Sequence, residues 1–367
     1  MGYSNTGRPV FYVSVLQWLK SIGKLTSEGT ATDGAVLSDK GRLDIVDITS
    51  PGQMEWYSGN HDTVKWVVVY KNKLGPFNQV MPGSKNFAMV LGHDLTVANG
   101  VEDYLISKEH INTGFDPTMD SDNWLSHYGR VNYEQYIENP GPEQKIFKYS
   151  DYNGWSLATG NSGAGCDSNL MGLTMEIQTN SGVENSRKIK AYLYGTYFNV
   201  PHSPDLKLTM TREMDGVKRI RTKGGADLVN YRYTKQPSWG VASPWELYGE
   251  ALSNKKLARN GRRIWDLSFT YFQSDIFPEI SNSNWFEAYD NGTPYTSTDL
   301  DKTLIAGDNF YSQVIHKTAG GQLAFVFQPD KANYNDMAIC KFDQKSFQFK
   351  KISNTIYKIK LKIKEVW

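Results

Sequence analysis

Cysteine is nearly absent: Cys166 and Cys340 stand far apart as the only two among 367 residues. That excludes a disulfide framework and a cysteine-ligated zinc site, and two free thiols fit synthesis in a reducing place. Long apolar runs are missing as well. No stretch reaches the length needed to cross a bilayer, and residues 1–12 lack the basic-then-apolar signature of an export signal. No membrane insertion and no signal-directed export are therefore expected. An excess of one charge is lacking too, since 40 Lys plus Arg face 39 Asp plus Glu. A partner recognised by charge must be met by a local patch rather than by the chain as a whole. No Gly-x-Ser-x-Gly elbow, Walker loop or His-Glu-x-x-His motif occurs. The chain is expected not to be an enzyme, and no catalytic residue, cofactor or metal ligand is assigned.

What is present is aromatic. Phe, Tyr and Trp make up 13% of residues, with 22 Tyr and 10 Trp, and glycine is frequent. This mix favours many strands joined by tight turns, so the expected class is all-β. A strand at Val10–Val13 leads into Val15, Leu16, Leu19 and Ile22 at helical spacing, closed by Gly23. Residues 29–34 read as a loop or arm. Strand patterns follow at 43–48, 64–70, 86–91, 101–106, 154–158, 171–177 and 188–194, the spacing of a β-sandwich or jelly roll. Residues 110–143 carry no period and read as a long surface loop.

A boundary at residues 199–204, with Pro201 and Pro204, divides the chain into units 1–200 and 201–367. The second unit begins with alternation at 206–211, and Asp215-Gly216 predicts a hairpin to 217–222 that Gly224-Gly225 ends. Alternation returns at 264–272, followed by a second long loop at 274–308. Phe310, Val314 and Ile315 predict one short helix up to Gly320-Gly321. Strands are expected at 323–327, 337–342, 346–350 and 356–367. In the last, Lys358, Lys360, Lys362 and Lys364 alternate with Ile359, Leu361 and Ile363, which gives one core face and one row of lysines.

Several residues suggest chemistry. His61-Asp62 and His93-Asp94 pair an imidazole with a carboxylate, but neighbours along a strand point to opposite faces and so do not make a dyad easily. Asp116, Asp120, Asp122 and Asn123 form an oxygen-rich loop whose spacing matches no known calcium loop. Trp124, Tyr128, Trp239, Trp245, Trp285 and Tyr289 lie in irregular segments. They are candidates for interface contacts, with packing against the sandwich ends as the alternative. The lysine row, with Arg219, Arg221 and Lys223, either serves solvation and blocks unwanted strand pairing or faces passing DNA in a channel.

Two segments resemble known families. Residues 261–269 (GRRIWDLSF), 325–330 (FVFQPD), 338–342 (AICKF) and the terminal EVW resemble structural proteins of marine tailed bacteriophages. Their order of strand, helix, aromatic strand into proline and closing strands is similar to the hub domain of distal tail and minor tail-tip proteins. Residues 86–95 (NFAMVLGHDL) look like a motif of galactose-binding-like jelly rolls in phage proteins. The resemblance implies a galactose-binding-like β-sandwich followed by a tail-hub-like β domain with one short helix. It implies a virion structural protein, a subunit of the tail tip or baseplate that forms a distal-tail or adaptor-like ring and docks other tail proteins. Partners would be copies of itself, other virion proteins, host surface glycan, and DNA only in passage. Assembly would occur in the host bacterial cytoplasm. The alternative is a carbohydrate-binding receptor or fibre protein, or a capsid decoration protein.

Overall fold

A computed structural model describes residues 6–31, 37–38, 43–50, 54–57, 63–74, 77, 80–81, 86–93, 101–110, 154–160, 172–180, 186–206, 208–213, 217–231, 262–272, 276, 304–305, 307–332, 337–354 and 356–366. Among these are nineteen strands and two short helices, so the protein is predominantly β. All the strand pairings are antiparallel.

The largest sheet has ten strands. In spatial order they are β12 (Thr209–Glu213), β15 (Arg262–Phe272), β19 (Tyr357–Glu365), β17 (Ala338–Phe342), β16 (Phe325–Gln328), β1 (Val10–Ser14), β11 (Ala191–Asn199), β6 (Asn86–His93) and β8 (Gly154–Gly160). The tenth, β18 (Phe349–Lys351), also pairs with β19. Strands from before and after the boundary expected at 199–204 share this sheet, because β1 pairs with β11 on one side and β16 on the other. A second sheet runs β2 (Leu25–Ala31), β5 (Thr63–Asn72), β9 (Gly172–Asn180), β7 (Val101–His110). A third joins β10 (Ser186–Ile189), β4 (Met54–Tyr57) and β3 (Leu37–Ser38), and β13 (Val217–Arg221) pairs with β14 (Asp227–Tyr231) alone.

β1 occupies the middle because its sequence, VFYVS, is apolar at four successive positions and β-branched or aromatic at each of them. A strand of that kind loses free energy on either face if exposed, so it is stable only between two cores. Phe11 and Val13 enter one buried cluster and Val10 and Tyr12 another on the opposite face. Around Phe11 stand the rings of Phe310, Phe325 and Phe327, at centroid distances of 5.6, 5.5 and 5.2 Å. Such pairs each add about 0.5–1.5 kcal/mol beyond the area they bury.

Helix α1 (Val15–Ser21) follows β1 directly. Ser14 is its N-cap, accepting from the Gln17 amide at 3.2 Å, and Gly23 at φ +69 lets the chain turn away at the other end. Val15, Leu16, Trp18 and Leu19 pack with Tyr70, Ala88, Val90, Tyr192 and Tyr194 in the third cluster. The turn from β1 into α1 presses against β11 at Gly195. A Cβ there would collide with the Val13 carbonyl oxygen and the Val15 amide, so only glycine fits.

Four expectations need correction. Residues 43–48 form turns rather than a strand, yet Ile45, Val46 and Ile48 are buried, so apolar content there serves packing and not pairing. The arm expected from residue 29 is strand up to Ala31, paired with β5. The pattern at 188–194 is two strands, since the chain leaves one sheet at Ile189 and joins another at Ala191. The hairpin about Asp215-Gly216 does not form: β12 pairs with β15, while β13 turns through Gly224-Gly225 onto β14.

Candidate interaction surface

On β15 and β19 alternation produces two unlike faces. Trp265, Leu267, Phe269, Ile359, Leu361 and Ile363 point into one core. Arg263 and Glu365 are directly opposite each other at the end of that face, buried, with the guanidinium donating to Glu365 Oε1 at 3.2 Å and to the Met337 carbonyl at 3.2 Å. Its cation also lies over the Trp265 ring, 5.0 Å from the centroid. A charge this deep is tolerated because every side of it meets an acceptor or a π face.

The other face carries the lysine row, and carboxylates come to meet it. Lys364 pairs with Glu213 of β12 at 2.6 Å, Lys362 with Asp343 at 2.8 Å and Lys358 with Asp205 at 3.3 Å. Lys360 is exposed and sits across from Ser268. Asp205 also accepts from the hydroxyls of Ser268 and Thr270, and its own amide donates to the Ser268 carbonyl. Burial alone would push the Asp205 carboxyl up, but the hydrogen bonds from Thr270, Ser268 and Lys358 hold it below the ordinary range. The row is thus a mixed-charge strip in which alternate signs offset one another.

A buried polar post stands on the opposite side of the sheet. The helix expected near Phe310 is a π-helix, Tyr311–His316, the wider turn that accommodates an extra residue. From it Gln313 receives a hydrogen bond from the Thr196 hydroxyl and donates to the Gly307 carbonyl. Lys317, fully buried, donates to Gln313 Oε1 at 3.0 Å and to the Ile305 carbonyl at 2.8 Å. Burial drives its ammonium from 10.5 down to about 7, against the raising effect of Asp308. His316 is held below its usual value by burial and by Lys317. In β6, total burial takes the His93 imidazole down to about 3, so at neutral pH it is uncharged and is a component of the core.

The hairpin β13–β14 is the exposed counterpart. Its tip is tied by the Thr222 hydroxyl, which accepts from the Ala226 amide at 3.0 Å, and by the Thr222 amide donating to the Ala226 carbonyl at 2.8 Å. Gly225 takes φ +85, the left-handed region the turn requires. Ile220 and Leu228 are cross-strand partners, and they are 61% and 58% exposed. The two sit on one face of the ribbon, and among the described residues neither belongs to a buried cluster.

Of the aromatic interface candidates, Trp124, Tyr128, Trp239, Trp245, Trp285 and Tyr289 all lie outside the described residues. So do Asp94, the pair His61-Asp62 and the oxygen-rich cluster at 116–123. The structure brings the four lysines onto one strand face as their alternation requires, and adds the carboxylates that the strand's own sequence does not reveal. Sequence reasoning missed the apolar pair Ile220 and Leu228. Its signal was present in the two glycines at 224–225, which mark a turn as well as the end of a strand. Comparison with models of protein families, with curated proteins and with solved structures finds no match.

Proposed function

We propose that this chain is a structural subunit of a virus particle, one that joins copies of itself in a ring at the tip or baseplate of a bacteriophage tail and docks neighbouring tail proteins. In this reading it is not an enzyme. The part up to residue 200 would be a galactose-binding-like jelly roll and the remainder a tail-hub-like β domain. A DNA-facing role for the lysine row in the ring's channel belongs to the same proposal and would rest on Lys360, because Lys358, Lys362 and Lys364 are paired with Asp205, Asp343 and Glu213.

The observation that supports it is the hairpin β13–β14. A ribbon held by its own tip hydrogen bonds, yet exposing an aliphatic pair, is what a subunit offers before its neighbour arrives. Two strands alone are marginal in water, and burial against a second molecule would remove that deficit.

The test is the mass of the purified chain by light scattering, for the intact protein and for one with residues 277–303 replaced by a short Gly/Ser linker. That replacement spares Ile276 in the core and the Ile305 and Gly307 carbonyls that hold the polar post. A discrete closed oligomer that falls to monomer in the shortened chain is expected. A monomer in both, together with a positive glycan-array signal, would move the assignment to an outward-facing carbohydrate-binding receptor or decoration protein.

A further inference from the structure

The polar post fastens a strap. Leu304, Ile305, Gly307 and Asp308 lead into the π-helix, and Ile305 is partly buried against the cluster that α1, β6 and β11 share. Two carbonyls of this stretch are held by buried side chains. Ile305 accepts from Lys317 Nζ at 2.8 Å, and Gly307 accepts from Gln313 Nε2. Gln313 Oε1 in turn accepts from Lys317 at 3.0 Å and from the Thr196 hydroxyl of β11. Lys317 and Gln313 thus join the strap, the π-helix and the sheet.

An ammonium carries three N–H donors and a neutral amine two. Among the described residues Lys317 meets two acceptors, the Ile305 carbonyl and Gln313 Oε1. The neutral amine is therefore matched donor for acceptor, whereas the ammonium keeps one buried N–H unanswered and a desolvated charge. The opposite charge that acts on it is Asp308 of the strap itself, which is exposed. On its other sides stand uncharged Thr196 of β11 and His316, whose ring lies 5.6 Å from that of Trp18 in α1. The backbone here is strained as well: after the π-helix, Ala319, Gly320 and Gly321 take φ +51, +66 and +93. Left-handed alanine persists where its surroundings hold it, and π turns concentrate at functional sites.

We propose that Lys317 is the catch of a proton-operated strap: as a neutral amine it holds residues 304–308 on β11 through Gln313, and the strap lifts as the freed lysine takes up a proton, uncovering the seat of Ile305 beside α1. Burial sets the folded lysine at about 7 against 10.5 for the free side chain, so between those values the closed strap lacks a proton that the open one carries. Opening becomes about tenfold rarer for each pH unit gained in that interval, and the strap is loosest below about 7. His316, held below 6.5, titrates outside the interval. The device needs no partner and stands apart from the assembly reading.

Hydrogen exchange of the full chain, read by mass spectrometry at about pH 7 and about pH 8.5 with labelling times scaled for the intrinsic rate, tests this directly. Peptides covering 304–318 should open more often than those covering β1 and β19 at both values, and their opening should fall by roughly tenfold or more at the higher pH. In Lys317→Met that pH response should vanish. Gln313→Glu, which sets a carboxylate against the ammonium so that the closed strap keeps its proton, should flatten it too and decides the matter if Lys317→Met does not fold. Exchange of 304–318 in step with β1 and β19 at both values overturns the proposal, because Lys317 is then freed by global unfolding alone. So does a pH response absent from the unaltered chain, or one that survives unchanged in the variants.

Discussion

β1 and β13 are strands of equal length, five residues each, with opposite fates. β1 has a neighbour on both edges and a core on both faces; β13 has one neighbour among the described residues, and both Arg219 and Ile220, from its two faces, are exposed. Valine occurs in both. What separates them is the residue between: β1 reads Val-Phe-Tyr-Val, whereas β13 interposes Lys218, Arg219 and Arg221. A charge on either face bars a strand from a doubly buried slot, because desolvating it costs more than the flanking aliphatics return. Apolar continuity, more than strand propensity, decided which one became central.

The sharpest way to break this comparison is at Phe11, whose ring touches aromatics from β16, β17 and the residue before the π-helix. Phe11→Ala should destabilise the protein by about 3–5 kcal/mol in chemical denaturation. A loss below about 1 kcal/mol would mean that β1 is not the central support described here.

A smaller, pH-dependent effect is expected at Lys317, on the buried side of the comparison. Its folded-state value of about 7 lies below the 10.5 of the free side chain, so between those values the unfolded chain holds a proton the folded chain has released. Stability therefore rises as pH climbs from about 7 toward 10.5, by a few kcal/mol, and the full cost of burying the charge is present below about 7. His93 acts on the acid side in the same sense: with about 3 folded against 6.5 free, it withdraws stability as pH falls from 6.5 toward 3. In Lys317→Met the alkaline rise should flatten while the acid loss remains, as read from denaturation midpoints across pH. An unchanged alkaline slope would show that Lys317 is solvated in the folded state.

The smallest stability effect belongs to the hairpin. Ile220→Thr with Leu228→Thr should change the unfolding free energy of the separated chain by no more than about 0.5 kcal/mol, because neither side chain packs on a core. A loss of about 2 kcal/mol or more in thermal or denaturant melts would place the pair inside the chain's own fold and erase the contrast with β1.

Much of the strand order along the chain was legible, since alternation at 264–272 and 356–367 and the apolar run at 86–91 each became strands. Helix α1 was legible too, from its spacing and Gly23. Residues 43–50 were not, because Ile45, Val46 and Ile48 carry a strand's composition while the chain turns beneath them. The choice of partner for β12 was likewise hidden. Asp215-Gly216 is a good hairpin signal locally, but pairing with β15 lets Leu208 and Met210 pack against the core that holds Trp265. Burial gained from a distant strand outweighed a turn preference worth less.

By itself the sequence determined the all-β character, the two-faced terminal strand and the apolar run at β1, because period and composition act within a few residues and need no knowledge of the rest of the chain. Only the tertiary structure decided that β1 would join strands from both halves of the chain, that Asp205, Glu213 and Asp343 would meet the lysine row, that Lys317 would be buried, and that Ile220 with Leu228 would be left in the open. Those outcomes depend on which surfaces remain after the largest apolar faces have found one another, and that competition is settled across the whole molecule.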